Sequence, residues 1–222
     1  MVSRVVLGSL FLLLAATVLA ACGRGATAQG GRAVRGAASL VVKDMAGFSA
    51  ATTAFSSLAH AASRDFVALK AAAAAAVVDS AAVTADTSAP DGAGAGACAR
   101  DAGFVAGDVD RATADDTALQ RNLSALQAVA ARLAVRASTL QGDFASLTAL
   151  HRSEPGVALP RDTPSAPVVA SAEAAALRDD GDGVQASEAV GTTAAYDLAI
   201  VQPIVASAQQ ACATIAAGTT GP

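Results

Sequence analysis

Large rings are almost missing from this chain. It has no Trp, a single Tyr (Tyr196), and only 3 % aromatic residues over 222 positions. That excludes a core built on wide aromatic side chains. Positive charge is also short, with 15 Lys and Arg against 19 Asp and Glu, a net charge of −4. A nucleic-acid partner calls for a basic face, so none is expected. Lysine is nearly absent: Lys43 and Lys70 stand alone, and the other basic residues are Arg. His60 and His151 are the only histidines. Their places along the helices put them too far apart to share a metal or a proton relay. After the first twenty residues no run reaches 18 apolar positions without polar interruption, so no second membrane span is expected.

Catalytic signatures are missing as well. The chain carries no Ser/His/Asp order, nucleophile elbow, phosphate loop or zincin motif. Gly92, Gly94 and Gly96 lack the flanking strand that a dinucleotide fingerprint needs, so they read as a loop. The acidic run Asp179-Asp180-Gly181-Asp182-Gly183 fails the EF-hand pattern. With Asp182 and Gly183 at loop positions 5 and 6, Arg178 falls at 1 and Ala189 at 12, where carboxylates are required. No cofactor and no metal site is expected.

Alanine dominates what is there, and hydrophobic residues reach 53 %. Alanine is the best helix former and gives up no side-chain entropy on folding. It buries little area, so an Ala-rich core must rely on close helix approach and on length.

The N-terminus has its own pattern. Arg4 is followed by an almost wholly apolar stretch from Val5 to Leu19, which closes in Leu19-Ala20-Ala21-Cys22. The stretch is short for a span and ends in small residues, which favours a cleaved signal peptide over residues 1–21. The closing tetrad resembles the lipobox of bacterial lipoproteins. That resemblance covers about the first 22 residues. It implies that the Cys22 thiol takes a diacylglycerol, that cleavage falls just before it, and that the new N-terminus takes a further acyl chain of the palmitate type. Two or more chains give stable anchoring. The Arg-for-Lys and Ala/Gly bias resembles proteins of high-GC actinobacteria. Cleavage removes one positive charge and leaves 14 basic side chains against 19 acidic ones.

Residues 22–38 are rich in Gly, Ala and Arg and are expected to form a lipidated, flexible tether. A helical bundle domain is expected over 39–218. Phe48, Thr52, Phe55, Ala59, Ala62, Phe66, Leu69, Ala73, Ala76, Ser80 and Val83 alternate by four and three, a heptad seam. Ala89-Pro90-Asp91-Gly92 ends it. A second seam runs Leu119, Leu123, Leu126, Ala130, Leu133, Ala137, Leu140, Phe144 and Leu147. Ahead of it, Gly103 and Gly107 weaken any helix by roughly 1 kcal/mol each. Pro155-Gly156 stops this segment, and Pro160, Pro164 and Pro167 keep the loop non-helical. The third seam, from Val184 to Ile215, is built of small and β-branched residues and passes Pro203, which should kink it.

These segments predict an all-α fold: an elongated, antiparallel three-helix bundle, Ala-rich, with coiled-coil-like seams. It becomes four helices if Asp179–Gly183 is a true turn. In an up-down-up bundle Cys98 and Cys212 lie at the same end. With Cys22 lipidated in an oxidising exterior, the two are expected to form a disulfide.

The expected role is a non-enzymatic lipoprotein on the extracytoplasmic face of the cell membrane. It would be held there by lipid and would act as a helical spacer or interaction module for an envelope protein partner. The alternative is a small-molecule or ion-binding lipoprotein that works with a transporter or sensor. That reading requires a cavity where the third seam changes character, near Gly191 or Pro203.

Overall fold

The computed structural model describes residues 27–88 and 94–218; for 27–28, 177 and 179–184 it describes the backbone alone. Every regular element among the described residues is an α-helix. These are α1, Thr27–Thr87, α2, Gly94–Ser153, and α3, Ala166–Gly218. The fold is an all-α, antiparallel helical bundle.

Local chemistry explains the helix ends. At the close of α1 the hydroxyls of Thr87 and Ser88 both donate to the carbonyl of Thr84 and so occupy a carbonyl the helix leaves open. His151 and Arg152 lie in the last turn of α2, where positive charge suits the helix dipole. Pro155 and Gly156 then end the helix. Before α3, the Ser165 carbonyl accepts from the amides of Val168 and Val169. Pro167 sits in that first turn, where its missing N–H costs nothing.

The chain divides into two compact units. Among the described residues, one contains 27–46 and 138–170, the other 47–88, 94–137 and 171–218. In the first, Val34, Ala38 and Val41 of α1 are wholly buried, as are Leu140 and Leu147 of α2 to within 2 %. Gly30 lies close against the side chain of Glu154, and Gly31 against Val157.

In the second unit all three helices contribute to each core layer. Ala62 and Leu69 meet Leu119, Leu123 and Ala194. Next come Ala73 and Ala76 with Val109 and Val201. Then Val83 meets Cys98, Ala102, Val105, Ala208 and Cys212. Residue numbers rise along α1 and α3 while they fall along α2, so the order is up, down, up. Ala76, Ala112, Ala130 and Ala194 are fully buried, so small side chains let the backbones approach. Leu69, Leu119 and Leu133 supply the larger buried areas, each worth roughly 2 kcal/mol.

Three sequence expectations change. The helix begins at Thr27, so residues 27–38 are not a flexible tether. Their glycines are outweighed by the burial of Val34 and Ala38, spaced one turn apart. The stretch 98–115 is helix throughout: Cys98, Ala102, Val105, Val109 and Ala112 extend the second seam and are buried, which offsets the cost of Gly103 and Gly107. Finally, α3 is continuous across Asp179–Gly183 and through Pro203, so the described residues form three helices and not four. Buried Ala176 and Ser187 on either side of the acidic run hold one axis.

Candidate functional site

Cys98 and Cys212 form a disulfide across α2 and α3, with Cα atoms 5.5 Å apart and a sequence separation of 114. Cys98 is fully buried and Cys212 nearly so, within the layer that contains Val83 and Val105. The up-down-up register brings the two sulfurs together, as the sequence suggests. Cys22 and the whole of residues 1–26 lie outside the described residues.

Several clefts open along the second unit. The first, about 510 Å³, lies between α1 and α3 beside the disulfide layer. Ser80, Thr84 and Thr87 form one wall, and Pro203, Ile204 and Ser207 the other. The three α1 hydroxyls donate to carbonyls of their own helix, Ser80 to Val77, Thr84 to Ser80 and Thr87 to Thr84. Their lone pairs remain to accept bonds from a ligand. The second cleft, about 650 Å³, is polar and lies between Gln120 and Gln127 of α2 and Glu188 and Gly191 of α3. A third, about 210 Å³, is apolar and is lined by Phe55, Phe66, Leu126 and Val190, with Ser63 and Ser187 at its edge. Clefts therefore flank both places where the third seam changes character, Gly191 and Pro203. Lys70 lies over the Phe66 ring at 5.7 Å. It also shares a small α1–α3 cleft with Asp197, whose Oδ2 is buried and without a hydrogen-bond partner.

The α1–α2 interface carries a second constellation, which the sequence reading missed. Asn122 donates to Asp65 across it at 2.6 Å. Two heptads further along α1, and two heptads back along α2, the same register sets Asp79 toward Asp108. In the first unit, Asp44 is likewise set toward Asp143. Burial holds the Asp79 carboxyl above the ordinary aspartate range, and repulsion by Asp108 and hydrogen bonding toward it add to that. Repulsion by Asp101 adds further, while Arg111 opposes the rise. Hydrogen bonding toward Asp44 raises Asp143, with burial and repulsion by Asp44 following. Asp108 is itself buried and pairs with Arg111 at 2.9 Å. The signal was present in the sequence: Asp44, Asp65, Asp79 and Asp86 are separated by whole heptads, and so are Asp101, Asp108, Asp115 and Asp143.

The remaining candidates are not brought together. His60 is exposed in the second unit, and His151 is half-buried in the first, its Nδ1 without a partner. Among the described residues no three of His, Cys, Asp or Glu are grouped to hold a metal. By length and composition alone, the stretches Gln29–Thr87 and Gln185–Ala217 are apolar enough to cross a membrane. A search for unbroken apolar runs overlooks them because Ser and Thr interrupt the Ala and Val.

Comparison with known proteins returns no match: no family model, curated protein or solved structure aligns with this chain.

Proposed function

We propose that this protein is a lipid-anchored, non-enzymatic component of a bacterial cell envelope. Cys22 carries the anchor at the extracytoplasmic face, and the helical bundle serves as a spacer or interaction module for an envelope protein. The observation that carries this reading is the Cys98–Cys212 disulfide, because such bonds persist in oxidising compartments outside the cytosol. The Leu19-Ala20-Ala21-Cys22 tetrad supplies the address. Labelling cells with a clickable palmitate analogue tests the anchor. Cys22→Ala is expected to abolish the label and to release the protein from membranes. Unchanged membrane retention of the variant would overturn the reading. Crosslinking followed by pull-down tests the partner, and a reproducible envelope protein is the expected result.

A second reading, a small-molecule-binding lipoprotein, draws support from the clefts beside Pro203 and Gly191. Native mass spectrometry of protein isolated from its own membranes distinguishes it. A co-purifying small molecule lost on Gly191→Leu favours ligand binding; a bare chain favours the spacer.

A further inference from the structure

Helices α1 and α3 each carry a second apolar stripe beside the one that faces the core. On α1, Val67, Ala71, Ala74 and Val78 recur by steps of four, three and four, and all are exposed. On α3, Tyr196, Ile200, Pro203 and Ser207 keep the same steps and are exposed as well. Val78 is 68 % exposed and Tyr196 67 %. A stripe of this period matches the face of another helix. The two stripes border one trough. Ala74 and Val77 wall a small cleft opposite Ile200, and the cleft beside Pro203 and Ser207 lies next along the same two helices. Ser80 and Thr84 on that stretch donate to carbonyls of their own helix, so they bring no unpaired donor to an apolar interface.

Charge is scarce on this side. From Phe66 to Val78, α1 carries only Lys70, and from Ala189 to Gly218, α3 carries only Asp197. On α2, by contrast, charged side chains recur from Arg100 to Arg136. Lys70 and Asp197 line the same small cleft, yet no ion pair joins them. The Lys70 ammonium lies over the Phe66 ring at 5.7 Å, and Asp197 Oδ2 is buried without a hydrogen-bond partner. One face therefore holds an ammonium and a carboxylate at a single level, neither engaged by an opposite charge, within an apolar surface. Such a face is complementary to itself. A bilayer interior would leave both charges unpaired, and lipid chains have no period to match.

We propose that the α1–α3 face of the second unit is a homodimer interface, in which two copies pack about a two-fold axis parallel to the helices. Helix α1 of one copy then lies along α3 of the other, in the same direction. Lys70 of each copy meets Asp197 of the other, so both ion pairs form at once, and Val77 and Ile200 close over them. A two-fold axis running across the helices would instead set Lys70 against Lys70. The charges therefore select the parallel arrangement. Parallel copies suit two chains tethered to one membrane through Cys22, and a shared tether raises their effective concentration. The interface itself does not depend on the lipid.

Disulfide trapping tests the arrangement. Two differently tagged full-length chains, one with Val77→Cys and the other with Ile200→Cys, are expressed together and mildly oxidised in their membranes. A mixed, covalently joined pair is the expected product. Val77→Cys alone should join poorly to itself, because the axis sets α1 against α3. Absence of the mixed pair, or equal joining of Val77→Cys to itself, would overturn the proposal. Charge reversal tests the ion pairs. In sedimentation velocity of the full chain in mild detergent, Lys70→Glu and Asp197→Lys should each weaken the dimer by about tenfold or more. The two substitutions together in one chain should restore it, with helicity by circular dichroism unchanged in all three. A wild-type monomer at every concentration, a dimer indifferent to either reversal, or no recovery in the double variant would each refute it. Joining of both cysteines only to a different protein would also refute it, and would give this face to the envelope partner of the spacer reading.

Discussion

Asn122 donates its side-chain amide to Asp65 at 2.6 Å, joining α2 to α1 across 57 positions of sequence. Both residues are half-buried, so the bond is partly screened from water. Removing the donor leaves a carboxylate without its partner. Asn122→Ala is expected to cost about 1 kcal/mol, at the low end for a bond to a charged group because the site is part-exposed. Asn122→Asp is more informative. It sets a carboxyl against Asp65 in place of the amide, so it should destabilise near neutral pH and recover on acidification. Urea melts of both variants at two pH values check this. Equal losses at both pH values for Asn122→Asp would show that the interface does not tell a facing carboxyl from a simple deletion.

The Cys98–Cys212 bond closes a loop with a sequence separation of 114 that takes in the α2–α3 connection. In the chain-entropy account a loop of about that length stabilises by roughly 4–5 kcal/mol. Cys98→Ala with Cys212→Ala, or full reduction, should therefore lower Tm by more than about 8 °C. Differential scanning calorimetry with and without reductant measures the shift. Intact-mass measurement gives the redox state of the starting protein. Because Cys98 is fully buried, reduction should be slow in the native state and should accelerate under mild denaturation.

Much of this fold was legible because its rules are periodic. Every described member of the three seams is buried or half-buried, from Phe48 to Val83, Leu119 to Leu147 and Ser187 to Ile215. A seam of alternating fours and threes admits one helical face, and short Pro/Gly loops admit one direction of return. Cys98 and Cys212 followed from that topology. The helix boundaries were harder. Glycine and proline carry propensity penalties of known sign, but burial of Val34, Ala102 and Val105 outweighs them, and the value of burial depends on partners that a single helix does not display. The carboxyl pairs escaped for a different reason. Surface aspartates at heptad spacing read as a solvated face until the register of α1 against α2 is known. Only that register sets Asp79 against Asp108, and not against an Arg one turn away.

Gly103 and Gly107 lie inside α2, and a Cβ on either would meet nothing within 4 Å. Alanine at both positions therefore costs no steric strain. It also reduces the conformational freedom of the unfolded chain. Each substitution is expected to stabilise by about 0.8–1 kcal/mol, and the pair should be close to additive. Chemical denaturation of the double variant checks this, with an unchanged m-value as evidence that the fold is intact. By contrast, a Cβ at Gly30 would meet the carboxylate end of Glu154, a flexible side chain that must swing aside, so Gly30→Ala is expected to gain less than either.

Pro203 stands inside α3 without breaking it, on the exposed wall of the cleft beside the disulfide layer. A mid-helix proline removes one backbone bond and crowds the carbonyl one turn earlier, at a cost of up to about 3 kcal/mol against alanine. If the cleft serves only as an accident of packing, Pro203→Ala should raise Tm and leave every interaction of the protein unchanged. If the cleft receives a ligand or a partner helix, the same substitution should raise Tm yet weaken that binding, since restoring the backbone bond lets α3 close on Ser80 and Thr84. Calorimetry supplies the first quantity, and crosslinking yield or ligand retention in native mass spectrometry supplies the second. Opposite movement of the two would mark the proline as a residue kept for function at the expense of stability.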